Sequence, residues 1–271
     1  MGPAVVGSGQ RYRPAELLSE DRLGTLWRGT DEWSAAPVVV RLLDDRLTSN
    51  PRALQRAITQ IRSAQVRVSN PHVARVLDFD LRRQREFRAF VVYEGFAGEP
   101  LARRLEPRTP VPADRALRLI AGIADALAAA HAAWIYHSAL TAASVLADAD
   151  IVRVLDLGLG ELAANGDAAV PGANLRDRGP ADVLAVGLLF EQLLLGTPER
   201  PAARESDAPR AWEGRVPPAL GVPLRRALSP YRLQRPDMQE LAAALAPALA
   251  GTSAPDPEVA PADAAPVAFS P

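Results

Sequence analysis

Few residues in this chain are suited to acid–base, nucleophilic or metal chemistry. All 31 basic residues of the 271-residue sequence are arginine, cysteine is absent, and the only histidines are His72, His131 and His137. Without lysine, the chain cannot form a Walker A loop or a Schiff base. Without cysteine, thiolate catalysis, disulfides and cysteine-ligated zinc are excluded. Three scattered histidines also argue against a histidine-rich metal site.

Two charged residues stand in or beside apolar, strand-like runs. Arg41 lies inside the apolar run PVVVRLL at 37–43, and Asp156 follows a strand-like run in LDLGL at 155–159. Each has a structural interpretation. Arg41 would be a strand arginine in a salt bridge, which we favour, and Asp156 would cap the turn after a strand.

Length and composition allow one or two ordinary domains with a sizeable core. The chain is 48% hydrophobic and 23% charged, and its formal net charge of −1 argues against nucleic acid as a partner. Residues 1–10 are small and apolar without a period, and we expect a flexible N-terminus. Residues 251–271 contain five prolines and many alanines, which predicts a disordered tail or linker. The folded domain is therefore expected over residues 11–250.

The first part of this domain, up to residue 94, has the pattern of a β-sheet. Five short runs of branched and aromatic residues are separated by turn residues. The predicted strands are Tyr12–Leu18, Leu26–Thr30, Val38–Leu43, Val73–Phe79 and Phe87–Tyr93.

One helix interrupts these strands. Asn50 is a suitable cap and Pro51 a suitable first helical residue. At 100° per residue the apolar residues share one face, with Ile61 in its middle. The opposite face carries the three arginines Arg52, Arg56 and Arg67.

The second part of the domain is predicted to be mainly helical. Apolar residues recur at helical spacing over Pro112–Ala133, and a final amphipathic helix is expected over Pro236–Ala250. Asp182–Leu195 is apolar nearly all round, which predicts a central buried helix. The stretch Ala126–Ala147 lacks formal charge over 22 residues. A buried helix end, a loop and a strand explain it better than a membrane span, so we expect no span.

Five strands with a helix after the third, followed by a helical lobe, resemble the protein kinase fold. PVVVRLL at 37–43 resembles the third strand, and VVYEGFAGEPL at 91–101 resembles the hinge between lobes. HSALTAAS at 137–144 stands where HRDLKPxN belongs, and LDLGL at 155–159 resembles the DFG region. The similarity is closest to bacterial eukaryotic-like serine/threonine kinases. It implies an α+β, bilobal protein kinase-like fold, with a five-stranded antiparallel N-lobe and a mainly helical C-lobe over residues 95–250.

The resemblance also allows the catalytic positions to be compared with kinase chemistry. A kinase uses a strand lysine, a glutamate that holds it, an aspartate base and metal-binding groups. The resemblance places Arg41 at the lysine and Ile61 at the glutamate. At that place Arg41 would hold phosphate through its planar set of donors, unless it is the salt-bridged strand arginine that we favour. It places Ala139 at the base, Thr141 at the loop lysine and Ser144 at the metal-binding asparagine. These differences predict a catalytically inactive pseudokinase, not an enzyme, that acts as a regulatory or scaffolding module. The alternatives are a nucleotide-binding sensor and a residual serine/threonine kinase.

A vestigial nucleotide pocket follows from the same resemblance. It places pocket residues at Gly24, Val39, Arg41, Tyr93, Glu94 and Leu146. Asp156 would bind a metal only with a nucleotide. Because Val39 and Tyr93 add bulk to this pocket, we expect no required cofactor, and ATP binding that is weak or absent and independent of magnesium.

The arginines of the first lobe suggest a protein partner. Residues 41–93 contain 11 arginines and 5 acidic residues. The helix face of Arg52, Arg56 and Arg67 would dock an acidic or phosphorylated protein; alternatively, it is an ordinary solvated face. We expect a cytoplasmic location, with a membrane tether if the chain is a fragment of a longer protein.

Overall fold

The computed structural model describes residues 5–7, 10–82, 88–163, 175–197, 210 and 212–250. The expected tail at 251–271 lies outside the described residues, as does most of the expected flexible N-terminus. One described part of that N-terminus contacts the sheet. Val6 is buried and exchanges two backbone hydrogen bonds with Tyr12, each 2.9 Å long. These bonds and the apolar contacts of Val6 hold this segment against the sheet.

An antiparallel sheet of five strands forms the N-lobe, as expected. Its order is β1-β2-β3-β5-β4, so the third strand lies in the middle. The strands are β1 (Tyr12–Asp21), β2 (Gly24–Asp31), β3 (Pro37–Leu43), β4 (Val76–Asp80) and β5 (Phe90–Glu94). Every residue of β3 after Pro37 is buried, which matches its unbroken apolar sequence.

A tight turn between β1 and β2 depends on Gly24. Its φ of 125° lies in the region that favours glycine, and an added Cβ would come within 2.2 Å of the Leu42 carbonyl oxygen. The backbone of β3 therefore explains this glycine without any ligand.

The helix α1 (Pro51–Arg67) packs against one side of this sheet. The Asn50 side chain accepts hydrogen bonds from the backbone N–H groups of Arg52 and Ala53, and Pro51 occupies the first turn. Such a cap typically stabilises a helix by about 1 kcal/mol. The face that packs inward contains Ala53, Ala57, Ile61 and Ala64.

Helices dominate the second lobe. They are α2 (Leu101–Leu105), α3 (Ala113–Ala132), α4 (Gly160–Ala163), α5 (Leu175–Leu195), α6 (Pro218–Ala227) and α7 (Met238–Leu249). A small sheet is formed by β6 (Glu99–Pro100), β7 (Val145–Asp148) and β8 (Ile151–Val154). Because α5 is apolar nearly all round, it lies in the core and packs against α3, α6 and α7. This architecture confirms the α+β, two-lobed expectation.

The predicted strand Val73–Phe79 is displaced in the structure. Val73 instead forms a parallel bridge with Val154, and the Ala74 backbone N–H donates to the Val154 carbonyl at 2.9 Å. The chain therefore connects the two sheets before β4 begins. No helix among the described residues combines the length and apolar character needed to cross a bilayer.

Candidate functional site

Three polar side chains meet where the large sheet faces the small one. Arg41 comes from the centre of β3, Tyr93 from β5, and Asp156 from the turn that follows β8. The Arg41 and Asp156 side chains are fully buried, and Tyr93 is 2% exposed. Charged side chains at this depth are almost always paired, and the pairing here is direct.

The guanidinium of Arg41 binds the carboxylate of Asp156 through two hydrogen bonds. Nη2 donates to Oδ2 at 2.6 Å, and Nε donates to Oδ1 at 3.3 Å. This side-on, bidentate geometry is available to arginine and not to lysine. Arg41 therefore has the structural salt bridge that the sequence favoured, although with a partner that the sequence did not identify.

Tyr93 holds the same aspartate from the hinge side. Its hydroxyl donates to Asp156 Oδ1 at 2.9 Å and accepts from the Asp156 backbone N–H at 3.1 Å. Asp156 adopts a left-handed backbone with φ of 63°, and these two bonds fix that conformation. Burial, and then the charge of Asp156, raise the pKa of Tyr93 well above its usual value of 10, so the hydroxyl keeps its proton.

A second carboxylate approaches Arg41 from the turn between β1 and β2. Asp21 Oδ2 lies 3.2 Å from Arg41 Nη1, and the Asp21 side chain is 17% exposed. Burial lowers the pKa of Arg41, but the charges of Asp156 and Asp21 more than offset it, so the pKa is raised. Burial raises the pKa of Asp21, and Arg41 opposes part of that increase. The cleft thus holds one cation between two carboxylates.

A cavity of about 190 Å³ lies next to this cluster, on the hinge side. Four of the expected pocket residues line it: Val39, Tyr93, Glu94 and Leu146. Gly24 and Arg41 do not line it. Sequence reasoning missed Ala74, Arg75, Gly95, Phe96, Arg153 and Leu155, which complete the lining. The cavity is smaller than the roughly 300–1,000 Å³ of typical ligand sites, so it fits a planar ring better than a whole nucleotide.

Arginines flank the mouth of this cavity. The guanidinium carbon of Arg153 lies 5.1 Å from the centre of the Phe96 ring, and Arg75 Nε lies 3.3 Å from Glu94 Oε2. Both arginines contribute to the lining of the cavity. In the sequence, the position of Arg153 on β8 and the position of Arg75 beside the hinge could have indicated them.

The loop before β7 is held by Asp182 at the start of the buried part of α5. Its carboxylate accepts from the backbone N–H groups of His137 and Ser138 at 2.9 and 2.8 Å, and lies 2.9 Å from His131 Nε2. The His137 ring is fully buried, and neither ring nitrogen has a hydrogen-bond partner among the described residues. His137 therefore contributes packing, and Asp182 fixes the loop.

Four other positions were compared with catalytic residues: Ile61 in α1, and Ala139, Thr141 and Ser144 in the loop before β7. Ser144 is buried, and its hydroxyl exchanges hydrogen bonds with the backbone of Thr141, at 3.0 Å from the N–H and 2.9 Å to the carbonyl. Thr141 is exposed and Ala139 is partly exposed. Ile61 is buried in α1, against the segment after Asp156. The hydroxyl of Ser144 therefore makes its hydrogen bonds within its own loop.

Magnesium does not fit the arrangement of these side chains. A magnesium ion in a phosphate site is usually held by one or two carboxylates with phosphates and water. Both Asp156 oxygens already accept hydrogen bonds from Arg41 and Tyr93. In the described part of the chain, no group of three or more acidic or histidine side chains could hold a metal.

The fold and cleft together define a protein kinase-like domain. Comparison with known proteins agrees with this class, although no protein-family model matches the chain. The kinase domain of PknI from Mycobacterium tuberculosis superposes with a TM-score of 0.65 over 92% of this chain and 99% of that domain, at 20% identity. This likeness establishes the fold.

Sequence relatives are serine/threonine protein kinases from bacteria. The chain is 25% identical to pkn3 of Myxococcus xanthus over 85% of its length, and 32% identical to PkaB of Streptomyces coelicolor over 52%. The aligned regions span 48% and 32% of those two proteins, so the chain corresponds to part of each relative.

The expectation that this chain is not an enzyme is wrong. Its sequence relatives are named as serine/threonine protein kinases. The expectation gave the missing motif residues too much weight. Loss of a general base typically lowers a rate by about 10²–10⁴ and does not by itself abolish it.

Proposed function

We propose that this chain is a domain of the serine/threonine protein kinase class that binds ATP weakly and transfers its terminal phosphoryl group slowly. The supporting observation is the Arg41–Asp156 pair beside the hinge cavity, since Tyr93 both lines that cavity and bonds to Asp156, so the pair brings a cation close to a base bound there. The names of the relatives support the same reaction class.

The proposed reaction moves one phosphoryl group. A substrate serine or threonine oxygen forms a bond to the γ-phosphorus, the bond from that phosphorus to the bridging oxygen breaks, and ADP leaves with the electron pair. The hydroxyl proton passes to water, because Ala139 offers no acceptor. Phosphoryl transfer depends mainly on positioning and on stabilising charge. Arg41 is the cation suited to that charge, and the missing base predicts a rate lowered by about 10²–10⁴.

Transfer of radiolabel from γ-labelled ATP to a serine- and threonine-containing acceptor protein tests this function. We expect a slow, time-dependent signal that is lost in Asp156→Asn, a variant that keeps the shape of the side chain but removes the charge that positions Arg41. The matched control is Glu32→Gln, which alters an ion pair with Arg13 at the surface and should leave the signal unchanged. A signal equal in all three proteins would point to a contaminating kinase and refute the proposal.

The affinity for ATP is part of the same proposal. The small cavity and the existing partners of Asp156 predict weak binding that does not depend on magnesium. Titration of ATP with magnesium and with EDTA should give similar dissociation constants. A magnesium-dependent rise in melting temperature that disappears in Asp156→Asn would contradict this. An ATP-dependent role also fits a cytoplasmic location.

A second proposal concerns the exposed face of α1. Arg52, Arg56 and Arg67 are all exposed, and the helix contains no acidic residue. We propose that this face docks an acidic or phosphorylated protein segment by charge complementarity. Replacing the three arginines with glutamate should abolish binding of a phosphorylated or polyglutamate peptide, and replacing them with glutamine should weaken it. Unchanged binding in the glutamate variant would refute the idea.

A further inference from the structure

Asp21 lies between Arg41 and solvent. It stands at the end of β1, and its Oδ2 lies 3.2 Å from Arg41 Nη1. Arg41 itself has no exposed surface, whereas the Asp21 side chain is 17% exposed. An anion that arrives from outside therefore meets Asp21 before it can reach the guanidinium.

The contact between Asp21 and Arg41 leaves a donor unsatisfied. Although the two groups are at ion-pair distance, Nη1 makes no hydrogen bond to any described residue. Nε and Nη2 are both used by Asp156. Nη1 is therefore the guanidinium nitrogen at which a phosphate oxygen would compete with Asp21.

Asp21 is also tied to its own turn. Its Oδ1 accepts from the Leu23 backbone N–H at 2.8 Å, and this bond holds the carboxylate over Arg41. Two negative charges cannot share this side of one guanidinium without strong repulsion, so Asp21 and a phosphate group compete for it.

We propose that Asp21 acts as an internal substitute for nucleotide phosphate and thereby sets the affinity of this site for ATP. The carboxylate covers Nη1 of Arg41 at ion-pair distance, and a phosphate must displace it. The inference rests on the proposed nucleotide site, because Asp21 would exclude phosphates from that site. It concerns affinity alone and does not require phosphotransfer.

The inference predicts a difference between ligands with and without phosphate. Asp21→Asn removes the charge and keeps the shape, and Asp21→Ser keeps an acceptor for the Leu23 N–H. Both should tighten ATP binding on the order of tenfold, since a like charge against the ligand is removed. Binding of adenosine, which has no phosphate, should change less than about twofold. A purely structural effect of either variant would shift both ligands together.

Calorimetric titration of purified wild-type protein and variants, with ATP and with adenosine, provides the test. Glu20→Gln is the matched control, because it removes the neighbouring exposed acid and should alter neither affinity. In one outcome adenosine binds while the ratio of ATP affinity to adenosine affinity is the same in wild type and in both Asp21 variants. That result would overturn the role of Asp21 and would still support the nucleotide site. Absence of binding by ATP and adenosine in every protein would overturn both proposals. Thermal unfolding confirms that each variant is folded.

Discussion

Arg41 and Asp156, 115 residues apart in the chain, form a fully buried ion pair in which Nη2 lies 2.6 Å from Oδ2. The pair joins the central strand of the N-lobe to the turn after β8. It therefore connects the two lobes through a contact that excludes water. The effects of changing either partner should be large and coupled.

Removing one partner of this pair leaves a buried charge without compensation. We expect the single variants Arg41→Met and Asp156→Leu each to reduce the free energy of unfolding by about 3–5 kcal/mol, as breaking buried pairs does in general. The double variant Arg41→Met with Asp156→Leu should lose much less than the sum of the two single variants. Denaturant unfolding of all four proteins measures the coupling. Additive losses would show that the pair is not an energetic unit.

The Tyr93 hydroxyl bonds to both the side chain and the backbone of Asp156. Tyr93→Phe keeps the ring but leaves the Asp156 N–H unsatisfied in a buried place, so we expect a loss of about 1–3 kcal/mol in unfolding free energy. Alkaline titration supplies an independent test. Because the pKa of Tyr93 is raised well above 10, the tyrosinate absorbance of wild type and Tyr93→Phe should be equal near pH 11 while the protein stays folded. A smaller signal in the variant would contradict the assigned environment.

The sequence predicted elements with strong local signals. The Asn50–Pro51 cap located α1, and the apolar run of β3 located the central strand, because capping and burial are encoded in adjacent residues. The contacts of the site depend on residues far apart in the chain. Asp21 is 20 residues from Arg41, and Tyr93 is 63 from Asp156, so no periodicity could pair them. Family resemblance suggested where Arg41 and Asp156 would lie, but not that they would bind each other.

The turn at Gly24 gives a local test of the N-lobe. Gly24→Ala forces a Cβ towards the Leu42 carbonyl at a φ of 125°, so we expect a loss of about 1–3 kcal/mol from backbone strain. Gly221→Ala is a matched control in α6, where an added Cβ meets nothing within 4 Å. That change should stabilise the protein by up to about 1 kcal/mol, since alanine favours helix. Thermal and denaturant unfolding compare the two variants, and equal effects would contradict this account.

His72 should make stability depend on pH. Burial lowers its pKa below the usual 6.5, although contact of its ring with the Val152 carbonyl opposes this in part. Between the lowered folded value and about 6.5, the unfolded chain binds the proton more readily than the folded protein. The free energy of unfolding should therefore fall as pH decreases from about 7 to 5. In His72→Gln that part of the decrease should be missing. The difference in unfolding free energy between wild type and variant should therefore shrink or reverse as the pH is lowered. Urea unfolding at several pH values measures it, and parallel curves for the two proteins would show that His72 does not contribute.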